Sequence, residues 1–361
     1  MKKISIIGTN GLPAKYGGFE TLVQYLVRYL SNRYEITVFC SAVTCKLRLK
    51  EYDGCKLEYI NLKANGWQSV LYDFLSIYRS RKFDRVIILG ASGGILMPLF
   101  SKYNEKFILN FGGLDWQRSK WNYFTRKFLK FSEYFSIKYS KHLISDNKGI
   151  QEYINSEYGR ESRLVTYGGD QSFKVVPTVK DFEKYSFLKN DYAFTLARIQ
   201  SDNNIELILN TFDKKETLPI VFVGNWDNSD FGIQIRNRYS SNKNIILLNA
   251  IYAPRELNLL RSNCKIYIHG HSAGGTNPAL LEAMNVQLPI LAYDCKFNRY
   301  ATEGEAKYFS DSEELSELLN TINYDTLKKI SNDMLKISNR RYTWKKIANE
   351  YAKVIDESLV C

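Results

Sequence analysis

Short runs of aliphatic and β-branched residues recur along the first part of the chain. Most are followed by apolar positions spaced three and four apart. Residues 4–7 read as a strand, and Leu22, Val23, Leu26, Val27 and Leu30 mark the buried stripe of the helix that follows. The same pattern predicts strands at 36–39, 57–60, 86–89, 107–111, 142–145 and 164–167, with a helix around 70–78. Strands that alternate with helices imply a parallel sheet covered on both faces, the doubly wound arrangement.

The pattern resets between 171 and 190, where polar and charged residues dominate. A second series then follows: strands at 193–197, 219–223, 245–248, 265–269 and 289–293, with helices at 205–212, 254–261 and from Pro278. Residues 342–355 read as an amphipathic helix with Trp344, Ile347, Tyr351 and Val354 on one face. The expected organisation is a first domain over 1–175, a second over 190–340, and a terminal helix over 341–361 that packs back on the first domain. Both domains are Rossmann-like and α/β, and they are expected to face a cleft. In such sheets ligands sit beyond the carboxyl ends of the strands.

Composition narrows the picture in three ways. A hydrophobic fraction of 45% and an aromatic fraction of 14% belong to a folded protein. The six cysteines form no CxxC pair and there are only three histidines, so neither a disulfide framework nor a structural zinc site is expected, and a cytoplasmic setting fits. The longest apolar stretch, 86–100, is broken by Gly90, Gly93, Gly94 and Pro98 and is too short to span a bilayer. The net charge of +12 favours polyanionic partners without choosing among them.

Three stretches carry chemistry. The first strand ends at Gly8 and leads into TNGLPAKYGGFET, which is not a GxGxxG turn because Gly17 and Gly18 come too late. These glycines let backbone approach a ligand ahead of a helix N-terminus. Glu20 in that first turn reads either as part of this site or as an acid complementing the helix dipole. The second stretch, HGHSAGGTNPALLEAM, reads as strand end, glycine loop and helix. Gly274 and Gly275 open the loop so that amides can hold a diphosphate, Thr276 or Asn277 caps the helix, and Pro278 suits its first position. Glu282, one turn in, is within reach of a ribose diol, or else is a solvent-facing helix residue. The third is Arg198 at the end of a strand, a place from which it can neutralise a departing pyrophosphate.

Together these stretches resemble the retaining GT-B glycosyltransferases of family 4. GLPAKYGGFET is similar to a bacterial rhamnosyltransferase subgroup of surface polysaccharide synthesis. The likeness runs through NFGGLDWQRSKW at 110–121, KFLKFSEYFSIKYSKHLISDNKGIQEY at 127–153, YGGD at 167–170 and ARIQSDNNIE at 197–206. It continues in HGHSAGGTNPALLEAM at 269–284, FNR at 297–299 and YTWKKIANEY at 342–351. The resemblance implies a donor site in the second domain, with Arg198 on the diphosphate, Glu282 on the ribose, and Gly275, Thr276 and Asn277 on phosphate through backbone. Gly17, Gly18 and Glu20 would lie on the acceptor side, and no metal or other cofactor is expected. The sequence departs from the family at Gly274, where a first glutamate is usual, and at Asn203, where a lysine is usual. It departs from the subgroup at Gly112, where an aspartate is usual; Asp115 is then the acceptor-side carboxylate.

The resemblance implies transfer of a sugar, rhamnose from dTDP-rhamnose first, to a polyprenyl-diphosphate-linked saccharide in O-antigen, capsule or exopolysaccharide assembly. Glucose, galactose or N-acetylglucosamine donors, and a sugar-nucleotide epimerase on the same architecture, are the alternatives. Arg118, Lys120, Arg126, Lys127, Lys130, Lys138 and Lys141 stand among aromatics over 116–141. Such a segment either lies on the anionic inner face of the plasma membrane or packs its aromatics in the core. No nucleic-acid-binding signature accompanies the charge.

Overall fold

The computed structural model describes residues 1–14, 17–118, 121–213 and 218–360. Lys15, Tyr16, Ser119, Lys120 and Cys361, which figure in the stretches above, lie outside them. The chain divides into two compact units: Met1–Tyr167 with Trp344–Cys361, and Gly168–Thr343.

The first unit is built on eight strands: β1 (Lys3–Ile7), β2 (Glu35–Ser41), β3 (Glu51–Tyr52), β4 (Cys55–Ile60), β5 (Arg85–Leu89), β6 (Phe107–Phe111), β7 (His142–Ser145) and β8 (Arg163–Leu164). Their order is β3-β4-β2-β1-β5-β6-β7-β8, parallel except for the short β3. Ile6 lies between Val38 and Ile87, so β1 meets apolar neighbours on either side. The chain winds outward from β1 in one direction, then returns to β5 and winds the other way. The topological switch point is therefore between β1 and β5, and the loop after β1 opens there.

The second unit carries six parallel strands: β9 (Ala193–Leu196), β10 (Ile220–Gly224), β11 (Ile245–Asn249), β12 (Ile266–His269), β13 (Ile290–Tyr293) and β14 (Lys307–Phe309). The order β11-β10-β9-β12-β13-β14 puts its switch point between β9 and β12. Arg198 and the 270–277 loop follow those two strands. The α/β, two-sheet fold class read from the sequence is the one observed.

The terminal helix Trp344–Val360 packs on the first helix, Gly18–Leu30. Trp344 stacks on Tyr25 with ring centroids 4.6 Å apart, and Tyr34 donates its hydroxyl to Asp356 at 2.6 Å. The helix begins two residues later than the hydrophobic pattern suggested, because Tyr342 is buried as the last anchor of the preceding helix and donates to the Ala301 carbonyl.

Asp73, on the helix Ser69–Ser80, is buried and accepts a 2.8 Å hydrogen bond from Ser92 Oγ. Burial pushes its pKa up to about 7, against the opposing bonds from Ser92 and the Gly93 backbone. The folded protein therefore keeps this proton where an unfolded aspartate has lost it. Stability falls as pH rises from about 4 to about 7, by about 2–4 kcal/mol. Asp73→Asn, which imitates the protonated acid, is expected to flatten that fall. Urea midpoints taken across this range check it, and parallel profiles for the two proteins would refute it.

Candidate functional site

In the first unit the β1 loop is organised by Glu20. Glu20 is 7% exposed, and its carboxylate turns back over the loop, accepting the Asn10 amide N–H and the Asn10 side-chain N–H, both at 2.9 Å. Both sequence readings of Glu20, ligand contact and dipole complement, leave out this bond set. Gly17 is glycine for the same reason. Its φ is +121°, and a Cβ there would stand 2.0 Å from Glu20 Oε2. Gly17→Ala is expected to cost about 2–3 kcal/mol, from strained backbone and the displaced carboxylate. Glu20→Ala should cost less in that variant than in the wild type, and a chemical-denaturation cycle reads the difference.

Phe19 and Tyr167 converge on Gly112. A Cβ at Gly112 would lie 3.0 Å from Phe19 Cζ and 3.3 Å from the Tyr167 hydroxyl. A side chain at this position, such as the aspartate that the resemblance implies, fits only if Phe19 moves. Tyr167 is held neutral far above the usual tyrosine range, by burial first and then by the carboxylate charges of Asp146, Glu20 and Asp115. Glu20 and Asp115 thus act on one buried phenol. Asp115 itself opens the 3-10 turn after β6, is exposed, and accepts from Arg118 Nε at 2.8 Å. Gly18 is the first residue of its helix.

In the second unit the loops after β9 and β12 are stitched together. Asn204 donates to the Gly270 carbonyl at 2.8 Å, and Ser272 donates to the Asp202 carbonyl through N at 3.0 Å and through Oγ at 2.8 Å. Asn203 is buried and bridges the two. Its Nδ2 donates to the Arg198 carbonyl at 2.8 Å, and its Oδ1 stands 2.7 Å from His271 Nδ1. Where the resemblance implies a lysine, this chain has a latch that fixes the turn carrying Arg198. Ile199 is buried, and its N–H bonds Asn225 Oδ1, which leaves the Arg198 side chain exposed at the strand's end.

A small cavity lined by Ala197, Asn203, His269, His271 and Asn277 brings these loops to the start of the helix Pro278–Asn285. Asn277 is the cap, accepting from the Ala279 N–H at 2.9 Å, while Thr276 is buried beside it. Gly274 has φ +106°, and the nearest atom to a Cβ there is His271 Nε2 at 3.4 Å. That conformation suits glycine and leaves space above the loop. Asn298, from the FNR stretch, donates to the His271 carbonyl at 2.8 Å and so supports the loop from behind. His269 is buried and kept neutral by burial first and His271 second.

Glu282 is neither free nor solvent-facing. Gln171 Nε2 donates to one oxygen at 2.6 Å, and Arg261 bonds the other. Arg261 is 1% exposed. A carboxylate has about four lone-pair sites, so two remain for a diol. The sequence reading missed Arg261 and Gln171, because they lie on other segments. It also missed His271, whose only signal was its place in the HGH run. Among the described residues, no group of three or more His, Cys, Asp or Glu side chains is placed to hold a metal ion. Nor is any helix long and apolar enough to cross a membrane.

Residues 178–342 match the family model described as "Glycosyl transferases group 1", and residues 1–170 match one described as "Domain of unknown function (DUF1972)". No curated protein matches the chain. Among solved structures, the sucrose-phosphate synthase of Thermosynechococcus elongatus superposes with a TM-score of 0.81 at 13% identity, covering all of both chains. Anabaena HepE with UDP gives 0.77 at 13% identity, and with UDP and glucose 0.78 at 14%. Each covers 99% of this chain and 100% of that one. At such identities the likeness fixes the fold, which is GT-B.

Proposed function

We propose that this chain, whose second unit carries a group 1 glycosyltransferase domain on a GT-B fold, moves a sugar from a nucleotide donor onto a polyprenyl-diphosphate-linked saccharide. Rhamnose from dTDP-rhamnose is the first-choice donor, the transfer retains anomeric configuration, and no metal takes part. The product belongs to surface polysaccharide assembly, on the cytoplasmic side of the membrane. The observation that carries the reading is the stitched switch point of the second sheet. There, Arg198 follows β9 and the loop after β12 leads through Asn277 into the helix that bears Glu282.

The chemistry follows from those groups. The bond between the anomeric carbon and the phosphate oxygen breaks, and negative charge grows on the diphosphate. Arg198 and the N–H groups of the helix start stabilise that charge, the work a metal does elsewhere. The acceptor hydroxyl attacks from the same face and passes its proton to the departing phosphate oxygen. Glu282 accepts the ribose hydroxyls and fixes the donor's reach. Gly17, Gly18, Glu20 and Asp115 stand on the acceptor's side. Support for a nucleotide-sugar donor comes from HepE, whose structures hold UDP and glucose.

Purified protein incubated with a panel of nucleotide sugars, EDTA and a synthetic polyprenyl-diphosphate sugar tests this, with products read by mass spectrometry. Transfer from one donor is expected. An altered donor formed without acceptor would replace the reading by an epimerase, and transfer abolished by EDTA would refute metal independence.

A further inference from the structure

The helix Tyr123–Lys138 is turned inside out. Its buried residues are Ser132, Glu133, Ser136 and Ile137, and it lies on Gly94 of the 3-10 segment Gly94–Lys106. A Cβ at Gly94 would come within 1.9 Å of the Ser132 carbonyl oxygen and 2.1 Å of Ser136 Oγ, so only a flank of small side chains fits against it. The large apolar residues therefore go outward: Phe124 is 80% exposed, Tyr123 63%, Phe131 58%, Tyr134 41% and Phe128 38%. Leu99, on the segment beneath, is 67% exposed. A helix ordinarily buries such a stripe, and a row of exposed aromatics on one helix marks an interaction surface.

The charges on this face are of one sign. Lys127 and Lys138 are exposed on it, with Lys127 Nζ 4.5 Å above the Tyr123 ring and Lys138 Nζ 5.5 Å from the Tyr134 ring. The helix's one acid, Glu133, is buried and accepts from Tyr153, Tyr158 and Lys130. Phe124 and Phe131 are two turns apart, about 10 Å along one side of a straight rod. Both can therefore meet a plane at once.

We propose that this face docks the protein on an anionic phospholipid leaflet. The aromatic rings enter the headgroup layer, and Lys127 and Lys138 sit among the lipid phosphates. Charge complementarity selects anionic lipid over an uncharged surface. Aromatics outnumbering cations on a single convex helix fit a leaflet better than a nucleic-acid strand, which is gripped by a row of phosphate contacts. The proposal rests on the lipid-linked acceptor for its purpose, since docking brings the enzyme to a substrate confined to the bilayer.

The full chain is floated with vesicles of phosphatidylglycerol and phosphatidylcholine, and with phosphatidylcholine alone, at low and high salt. Binding is expected only with the anionic vesicles, and salt should weaken it. Phe124→Ser with Phe131→Ser is expected to cut the bound fraction about tenfold. The thermal melt should stay unchanged, because both side chains are already in solvent. In the same variant, transfer to an acceptor embedded in vesicles should fall with binding, while transfer to a short-chain water-soluble acceptor stays at the wild-type rate. Wild type that ignores anionic vesicles overturns the docking, whatever its activity. So does a concentration-dependent dimer, or an oligonucleotide complex, that the double variant abolishes while vesicle binding persists. Vesicle binding with no transfer to either acceptor would leave the surface standing and remove the transferase reading.

Discussion

Arg198→Ala is expected to lower kcat/KM for sugar transfer by about a thousandfold, with the folded protein intact. The size follows from where the charge develops. As the anomeric bond breaks, the diphosphate gains negative charge. A guanidinium already in place beside it stabilises the transition state without reorganising. The position is fixed by backbone rather than by the side chain. Ile199 plugs the core, its N–H is taken by Asn225, and Asn203 holds the Arg198 carbonyl. Truncating an exposed side chain leaves those bonds alone, so thermal stability should barely move. Arg198→Lys is expected to recover only part of the rate, because an ammonium cannot make the forked, two-oxygen contact of a guanidinium. Steady-state kinetics on the donor identified by the panel gives the answer. Wild-type kcat/KM in the alanine variant would move the leaving-group role elsewhere in the molecule.

How far this site could be read in advance depends on how local each piece of information is. Alternation of strands and helices is written in stretches of ten residues, so the two parallel sheets and the loops at their switch points were legible. The helix Pro278–Asn285 announced itself through Asn277 and Pro278 for the same reason. The helix Tyr123–Lys138 did not, because its aromatic side faces solvent and its packing side is Ser132, Glu133, Ser136 and Ile137. A rule that looks for a buried apolar stripe finds the wrong face. Partners far apart in sequence were invisible altogether. Gly112 reads as the loss of an acid until Phe19, 93 positions earlier, is seen occupying the space. Asn203 reads as a missing lysine until His271 is found at its other end. Gly17 reads as room for a ligand, and nothing in the sequence hints that the atom nearest that room is the carboxylate of Glu20.

Glu282 shows why such partners alter an experiment. Taken alone it invites Glu282→Ala as a probe of ribose binding. In the structure its carboxylate is the counter-charge of Arg261, whose side chain is 2% exposed against 18% for Glu282. Removing the acid leaves a guanidinium buried without its anion, which is expected to cost about 3–5 kcal/mol of stability. Lost activity in that variant would therefore report unfolding as much as lost donor contact. The informative comparison replaces both charges. Glu282→Gln alone is expected to lose stability and donor affinity together. Glu282→Gln with Arg261→Met removes the stranded cation, so stability should return to within about 1 kcal/mol of wild type while affinity stays low. Urea unfolding gives the first quantity, and calorimetric titration with the nucleoside diphosphate gives the second. If affinity returns along with stability in the double variant, Glu282 serves only to neutralise Arg261. If affinity stays at least tenfold down in a protein as stable as wild type, the carboxylate itself holds the donor, and Arg261 and Gln171 hold the carboxylate.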